Sequence, residues 1–139
     1  MLEPTLALQT AVRAALIASP AVLSLVPADQ IRAGSTRPGH MPCVILSGDQ
    51  VEYLGQASGS QHLARVFLDL HIWAVEDGAD TAKAIGMAAL QALMDAPACD
   101  GFEIDAYAKP GILWLRDPQP ERSYTHGVLS LEAVLRWRF

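Results

Sequence analysis

The chain is short of basic residues. Ten lysines and arginines stand against fifteen acids, for a formal charge of -5 over 139 residues, and no segment carries a basic stripe. Proteins that grip a phosphate backbone release counterions through clustered lysine and arginine, so the composition argues against a grip on nucleic acid, and contact with DNA would have to be loose or repulsive. Cysteine is scarce as well. Cys43 and Cys99 lie far apart without C-x-x-C spacing, so nothing activates either thiol, and both read as small buried apolar groups in a reducing compartment. No apolar run approaches the roughly 20 residues needed to cross a bilayer. Met1 to Thr10 contains Glu3 and Pro4 but no base, so no secretory leader is expected there and synthesis is expected to end in the cytoplasm. Neither G-x-G-x-x-G nor a P-loop occurs, which removes support for nucleotide binding. No G-x-S-x-G elbow strains a serine into a nucleophile either. Gly55-Gln56-Ala57-Ser58-Gly59 is superficially close, but its spacing is wrong.

Apolar residues, in contrast, are abundant. They make up 51% of the chain, with only 18% charged, a surplus that must fill a core or face a partner. The length suits one domain spanning residues 1–139, and at that size roughly two-thirds of the extended-chain surface can be buried without a disulfide or metal. The charge is uneven. Between Glu76 and Asp105 seven acids face Lys83 alone, whereas the remainder, with nine bases and eight acids, is nearly neutral.

Hydrophobic spacing sets out the elements. Pro4 suits the first turn of a helix whose buried stripe is Leu8, Val12, Ala15 and Leu16. Ser19 and Pro20 then cap and open a short second helix that stops at Pro27. Residues 27–41 are irregular. Pro42 to Leu54 reads as a strand with a bend or bulge at Gly48, and Gln56 to His62 as a mobile polar loop. Ala64 to Val75 is the clearest strand: Val66, Leu68, Leu70 and Ile72 point one way, and Arg65, Phe67, Asp69, His71 and Trp73 the other. Asp77, Gly78 and Asp80 open a second long helix with the stripe Ile85, Ala89, Ala92 and Leu93. Residues 104–107 and 111–116 are short strands, Asp117 to Thr125 is a second polar loop, and Val128 to Phe139 alternates as a last strand. Adjacent strands favour hairpins, so the fold class is α+β: a mainly antiparallel sheet of four or five strands with the two main helices packed on one face.

Candidate chemistry is thin. Asp69, His71 and His126 form a conceivable His/His/Asp metal site if their strands pair, yet no ligand-spacing motif accompanies them, and histidines on a half-exposed sheet face are more often hydrogen-bonded or interfacial. The acids from Glu76 onward match no calcium loop and read as a solvated helix face. No catalytic residue, cofactor or metal is assigned. Trp137 shares the parity of the aliphatic face and belongs to the core, whereas Trp73 lies opposite it and is the better interface anchor.

The whole-chain plan resembles the tail-terminator, or tail-completion, family of long-tailed phages and phage-derived gene transfer agents. The resemblance rests on Leu8-Gln9-Thr10-Ala11-Val12, on Met41-Pro42-Cys43-Val44-Ile45-Leu46, on Leu68-Asp69-Leu70-His71-Ile72-Trp73 leading into Glu76-Asp77-Gly78, and on His126-Gly127-Val128-Leu129-Ser130-Leu131. It departs from the family in the Pro/Gly stretch between Ile31 and Met41. Such proteins form a six-subunit ring on the end of the tail tube, stopping tube growth and joining the tail to the head-side connector. The implied partners are further copies of the chain, the tube protein and the head-side stopper, with double-stranded DNA only passing through and no membrane. The implied location is the bacterial cytoplasm during assembly and then the particle. A closed ring needs two different complementary patches, and an exposed strand edge is one candidate. The interface set expected on this basis is Asp69, His71 and Trp73; Gln56, Ser58, Ser60 and His62; Asp117, Glu121, Arg122 and Tyr124; and Arg136 and Arg138. The alternatives are a head-side adaptor or stopper, a minor tail protein, or a small α+β enzyme or ligand-binding domain, for which a deep apolar pocket with convergent polar groups would speak.

Overall fold

The computed structural model describes every residue except Thr36 and Glu121, together with the backbone but not the side chain of Asp49. Helix α1 runs from Pro4 to Ile17. The Glu3 carboxylate caps it, accepting from the backbone N–H groups of Thr5 and Leu6 at 3.0 and 3.2 Å. Pro4 occupies the first turn, where a missing N–H costs nothing. The stripe of Leu8, Val12 and Leu16 is buried as its spacing requires, with Ala15 only half-buried. Ser19 caps the short α2, Pro20–Leu23, through its hydroxyl and Val22 N–H.

Strands β2 (Cys43–Ala57), β3 (Gln61–Val75) and β6 (Ser123–Trp137) form the body of the sheet. β3 lies between the other two, antiparallel to both. β4 (Glu103–Tyr107) and β5 (Gly111–Pro118) share the far edge of β6, β4 beside its C-terminal half and β5 beside its N-terminal half. The register of β2 against β3 shifts between Ser47 and Gln50, which places the expected bulge at Gly48.

Three expectations are corrected. First, the fold is α+β and its sheet mainly antiparallel, but among the described residues it has six strands rather than four or five and one parallel pairing makes it mixed. β1, Ile31–Ala33, pairs in parallel with Val44 to Leu46. A three-residue strand with only Ile31 buried leaves no alternation to read in an irregular segment. Second, Gln56 to His62 is no loop. Gln56 and His62 pair with each other, and the turn is Ser58-Gly59-Ser60 alone, with left-handed Gly59 and Ser60. Backbone pairing carries the ladder past the apolar side chains, so polarity misplaced its end. Third, the Asp117–Thr125 loop is shorter than expected, because Asp117 and Pro118 still pair with Tyr124 and Ser123.

Helix α3 (Asp80–Ala92) and α1 cover one face of the sheet. Their apolar stripes meet Val66, Leu68, Leu70, Ile72, Leu129, Leu131, Ala133, Leu135 and Trp137 in one core. Trp114 of β5 completes the join between sheet and helix. Its ring lies so close to Gly127 and Gly86 that a Cβ at those glycines would stand 2.5 Å and 2.8 Å from it.

This contact reverses a helix-propensity argument. Alanine in mid-helix normally gains about 1 kcal/mol over glycine. Gly86→Ala is nevertheless expected to lower stability, and Gly127→Ala to lower it by about 1–3 kcal/mol, because each methyl displaces Trp114. Chemical denaturation of the two variants checks both signs.

Candidate assembly interface

The alternation of β3 and β6 sends every second side chain to the face the helices leave bare. On it lie Arg65, Phe67, Asp69, His71 and Trp73 of β3, opposite Val134, Glu132, Ser130, Val128 and His126 of β6. The face is mixed in character. Arg65 bridges Glu52 and Glu132 across three strands at 3.3 and 3.2 Å. β5 adds Leu113 and Leu115, aligned with Val128 and His126 and exposed to 62% and 43%.

At one end of this face a small second core forms around Cys43, Ile45 and Trp73, with Met41 and Tyr124 packed on it. Trp73 stacks on His126 at a centroid distance of 3.9 Å and 8° between planes. His126 in turn meets His71, with Nδ1 of His71 and Nε2 of His126 2.9 Å apart. One ring must donate and the other accept, so the pair holds one shared proton when neutral. Burial first and the neighbouring His71 second hold His126 below the ordinary histidine range, while Asp117 opposes them. Trp73 is only 8% exposed, and its Nε1–H finds no acceptor among the described residues.

Trp73 therefore takes the face that parity assigned, but as the floor of a local core, so truncating it costs the subunit as well as any interface. Beside it a groove of about 990 Å³ runs between the segments 37–38 and 117–124, lined by Arg37, Asp117, Pro120, Arg122 and Tyr124. Gln119 donates to the Asp117 carboxylate at 2.9 Å. Neither guanidinium of Arg37 or Arg122 has an ion pair among the described residues.

The residues singled out in the sequence fall at two ends of the sheet. Asp117, Arg122, Tyr124 and Trp73 line the groove, and His71 stands behind it against His126. Gln56, Ser58, Ser60, His62, Arg136 and Arg138 gather at the tip of the β2–β3 hairpin, where His62 packs on Trp137 and Phe139 and Arg136 binds Asp105 and Gln61 at 3.0 and 2.6 Å. His62 and Trp73 are eleven positions apart along β3, roughly 36 Å, so the set is two patches. Glu121 lies outside the described residues. No three metal-ligating side chains, Asp69 with the histidine pair included, converge among the described residues. The thiols are not nucleophiles at neutral pH: burial pushes Cys43 up to about 11 and raises Cys99. Sequence reasoning missed Leu113, Leu115 and Arg37. Ile112 to Leu115 is apolar at every position, so only pairing with β6 separates its outward leucines from the inward Ile112 and Trp114.

The fold is thus a helix-backed sheet with one bare, partly apolar face and polar residues at both ends of its long strands. The family model described as Tail completion protein gp17 matches residues 10–136, and the chain belongs to that family of structural phage-tail proteins. Among solved structures, a chain from the virion of a native gene transfer agent particle is similar with a TM-score of 0.66 and 18% identity, covering 93% of this chain and 94% of that one. At that identity the likeness is one of fold. No curated protein matches. No described helix is long and apolar enough to cross a membrane.

The histidine pair yields a signed pH dependence. A histidine whose folded pKa lies below its ordinary 6.5 binds fewer protons folded than unfolded. Its stabilisation is complete above about pH 6.5 and is lost as pH falls through the folded value. Melting temperature should therefore drop between about pH 7.5 and 5.5, and His126→Gln should flatten that drop. An unchanged slope in the variant would place the titration elsewhere.

Proposed function

We propose that the chain forms a closed ring on the last ring of the tail tube, ends tube polymerisation and joins the tail to the head-side connector. The observation that carries this reading is the bare sheet face with its outward Leu113 and Leu115, in a chain whose family supplies structural tail proteins. A helix layer on one side and a bare sheet on the other give a slab with two unlike faces. Unlike faces join head to tail, and a fixed rotation then closes a ring.

Two further features favour this reading over a head-side adaptor or a minor tail protein. Polar clusters occupy both ends of the long strands, so tube and connector can each be met by a different end. The net charge of -5 per subunit, repeated around a ring, also lets a lumen repel the DNA backbone so that the genome slides without sticking. The single-domain reading of 1–139 fits the continuous main core. An enzymatic reading has less support, since the buried thiols are held protonated and the histidine pair packs against tryptophan.

Deleting the gene in its native host and imaging the particles by electron microscopy tests the proposal. Tail-less heads beside free tubes, some abnormally long, are expected; normal tailed particles would overturn it. The paired change Leu113→Glu and Leu115→Glu should reproduce the deletion in particles while shifting the stability of the isolated subunit by no more than about 0.5 kcal/mol each, as exposed positions allow.

A further inference from the structure

Among the described residues, the groove beside Trp73 is lined by Arg37 and Arg122 against Asp117 alone, an excess of positive charge in an acidic protein. Arg37 and Arg122 flank it without ion partners among the described residues, its aromatic floor is Trp73 and Tyr124, and the buried Trp73 N–H lacks an acceptor there. These groups ask for a short segment carrying carboxylates and free backbone carbonyls.

The chain itself presents such a segment, at the same level and on the opposite face. β3 ends at Val75 beside Tyr124, and the next residues are Glu76, Asp77, Gly78, Ala79 and Asp80, the turn into α3. Glu76 reaches Arg116 at 3.1 Å on the helix side. Asp77 is engaged with Thr81, accepting from its N–H at 3.3 Å and its hydroxyl at 2.5 Å, which holds the Asp77 carboxyl below its ordinary range so that it is charged. Gly78 and Ala79 are both left-handed, with φ of 82° and 69°. Beyond the turn, Lys83, Ala84, Met87, Gln91 and Met94 follow Asp80 as the exposed stripe of α3, and Met87 is 56% exposed.

The two faces match along their length. α3 starts at the groove end and runs back along β6, since Gly86 lies by Trp114 and Gly127, while the Leu93 carbonyl accepts from Tyr107, which pairs with Ala133. Asp80 to Met87 spans about 10 Å of helix, and Asp117 to Leu113 about 13 Å of strand. On each face, charge at the groove end gives way to exposed apolar groups over a similar distance: acids and Lys83, then Met87 on one, and two arginines and Asp117, then Leu115 and Leu113 on the other.

We propose that the groove of one subunit receives the 76–80 turn of a second copy, with Arg37 and Arg122 facing its Asp77 and Asp80 and Leu113 and Leu115 covering its Met87. The inference rests on the ring reading and specifies its repeated contact. Because groove and turn share one level, a rotation about an axis along the strands brings each turn to the next groove without climbing, as closure requires.

The test is site-directed disulfide formation, for which the native thiols are silent because both are buried. Particles are made carrying Arg122→Cys together with Asp80→Cys, or either change alone, and are oxidised before non-reducing gel analysis. The double variant should give a ladder of covalent multimers of this chain, and neither single variant should. Like-site dimers from a single variant would indicate a two-fold contact and overturn the proposal. Tailed particles with no ladder would overturn it too, while leaving the ring reading intact, which fails separately if deletion of the gene leaves normal tails. Charge reversal provides a second measurement: Arg122→Glu and Asp80→Arg should each cut particle yield about tenfold, and their combination should restore it. Equal loss in the combination would overturn the pairing.

Discussion

The pairing of β3 with β6 is the interaction on which the rest of the structure depends. From His62↔Trp137 to Val75↔Tyr124 the two strands run without a register shift, although residues 76–122 of the chain lie between them. Side chains alternate across a strand, so a slip of one residue would turn Leu68, Leu70 and Ile72 into water and bring Asp69 and His71 under the helices. The desolvation cost of that exchange pins the register. Everything else is referred to this ladder: β2 adds to one side, β4 and β5 divide the other, and both main helices lie over its aliphatic face.

The ladder also explains which parts of the fold the sequence made legible. Val66 to Ile72 and Leu129 to Leu135 alternate cleanly because each strand has one dry face, and α1 shows its stripe because only one side touches the sheet. Capping at Ser19 and Pro20 was readable for the same local reason. The errors lie where burial ceases to govern. Backbone hydrogen bonds extend the β2–β3 hairpin through Gln56 and His62 regardless of side-chain polarity, and β1 is fixed by its neighbour rather than by its own pattern. The candidate interface was half legible. Parity put Trp73 and His71 on the correct face, but a linear reading merged two patches that the strands hold far apart.

The small core around Trp73 gives the bare face its character. A sheet face left wholly to water needs no tryptophan, and one built wholly for a partner needs no internal packing. Here Cys43, Ile45 and Met41 support the indole from below, and His126 lies flat on it. The indole is thereby held in place before any partner arrives, which reduces the side-chain entropy lost on association. The same packing desolvates His126 and ties it to His71. Titratable chemistry on this face thus follows from rigid packing and does not require a catalytic role.

Asymmetry between the two faces then decides what kind of assembly the slab allows. A two-fold contact would set groove against groove, bringing Arg37 and Arg122 of one copy against the same arginines of another, with Asp117, already engaged by Gln119, the one carboxylate lining the groove among the described residues. Like-charge contact of that kind costs several kcal/mol. A head-to-tail contact removes the repulsion by placing the helix-side acids there instead, and it leaves no copy with an unused groove only if the chain of contacts closes. On the proposed head-to-tail contact, the uneven charge of the linear sequence, seven acids against one lysine between Glu76 and Asp105, would give the joining of copies its direction.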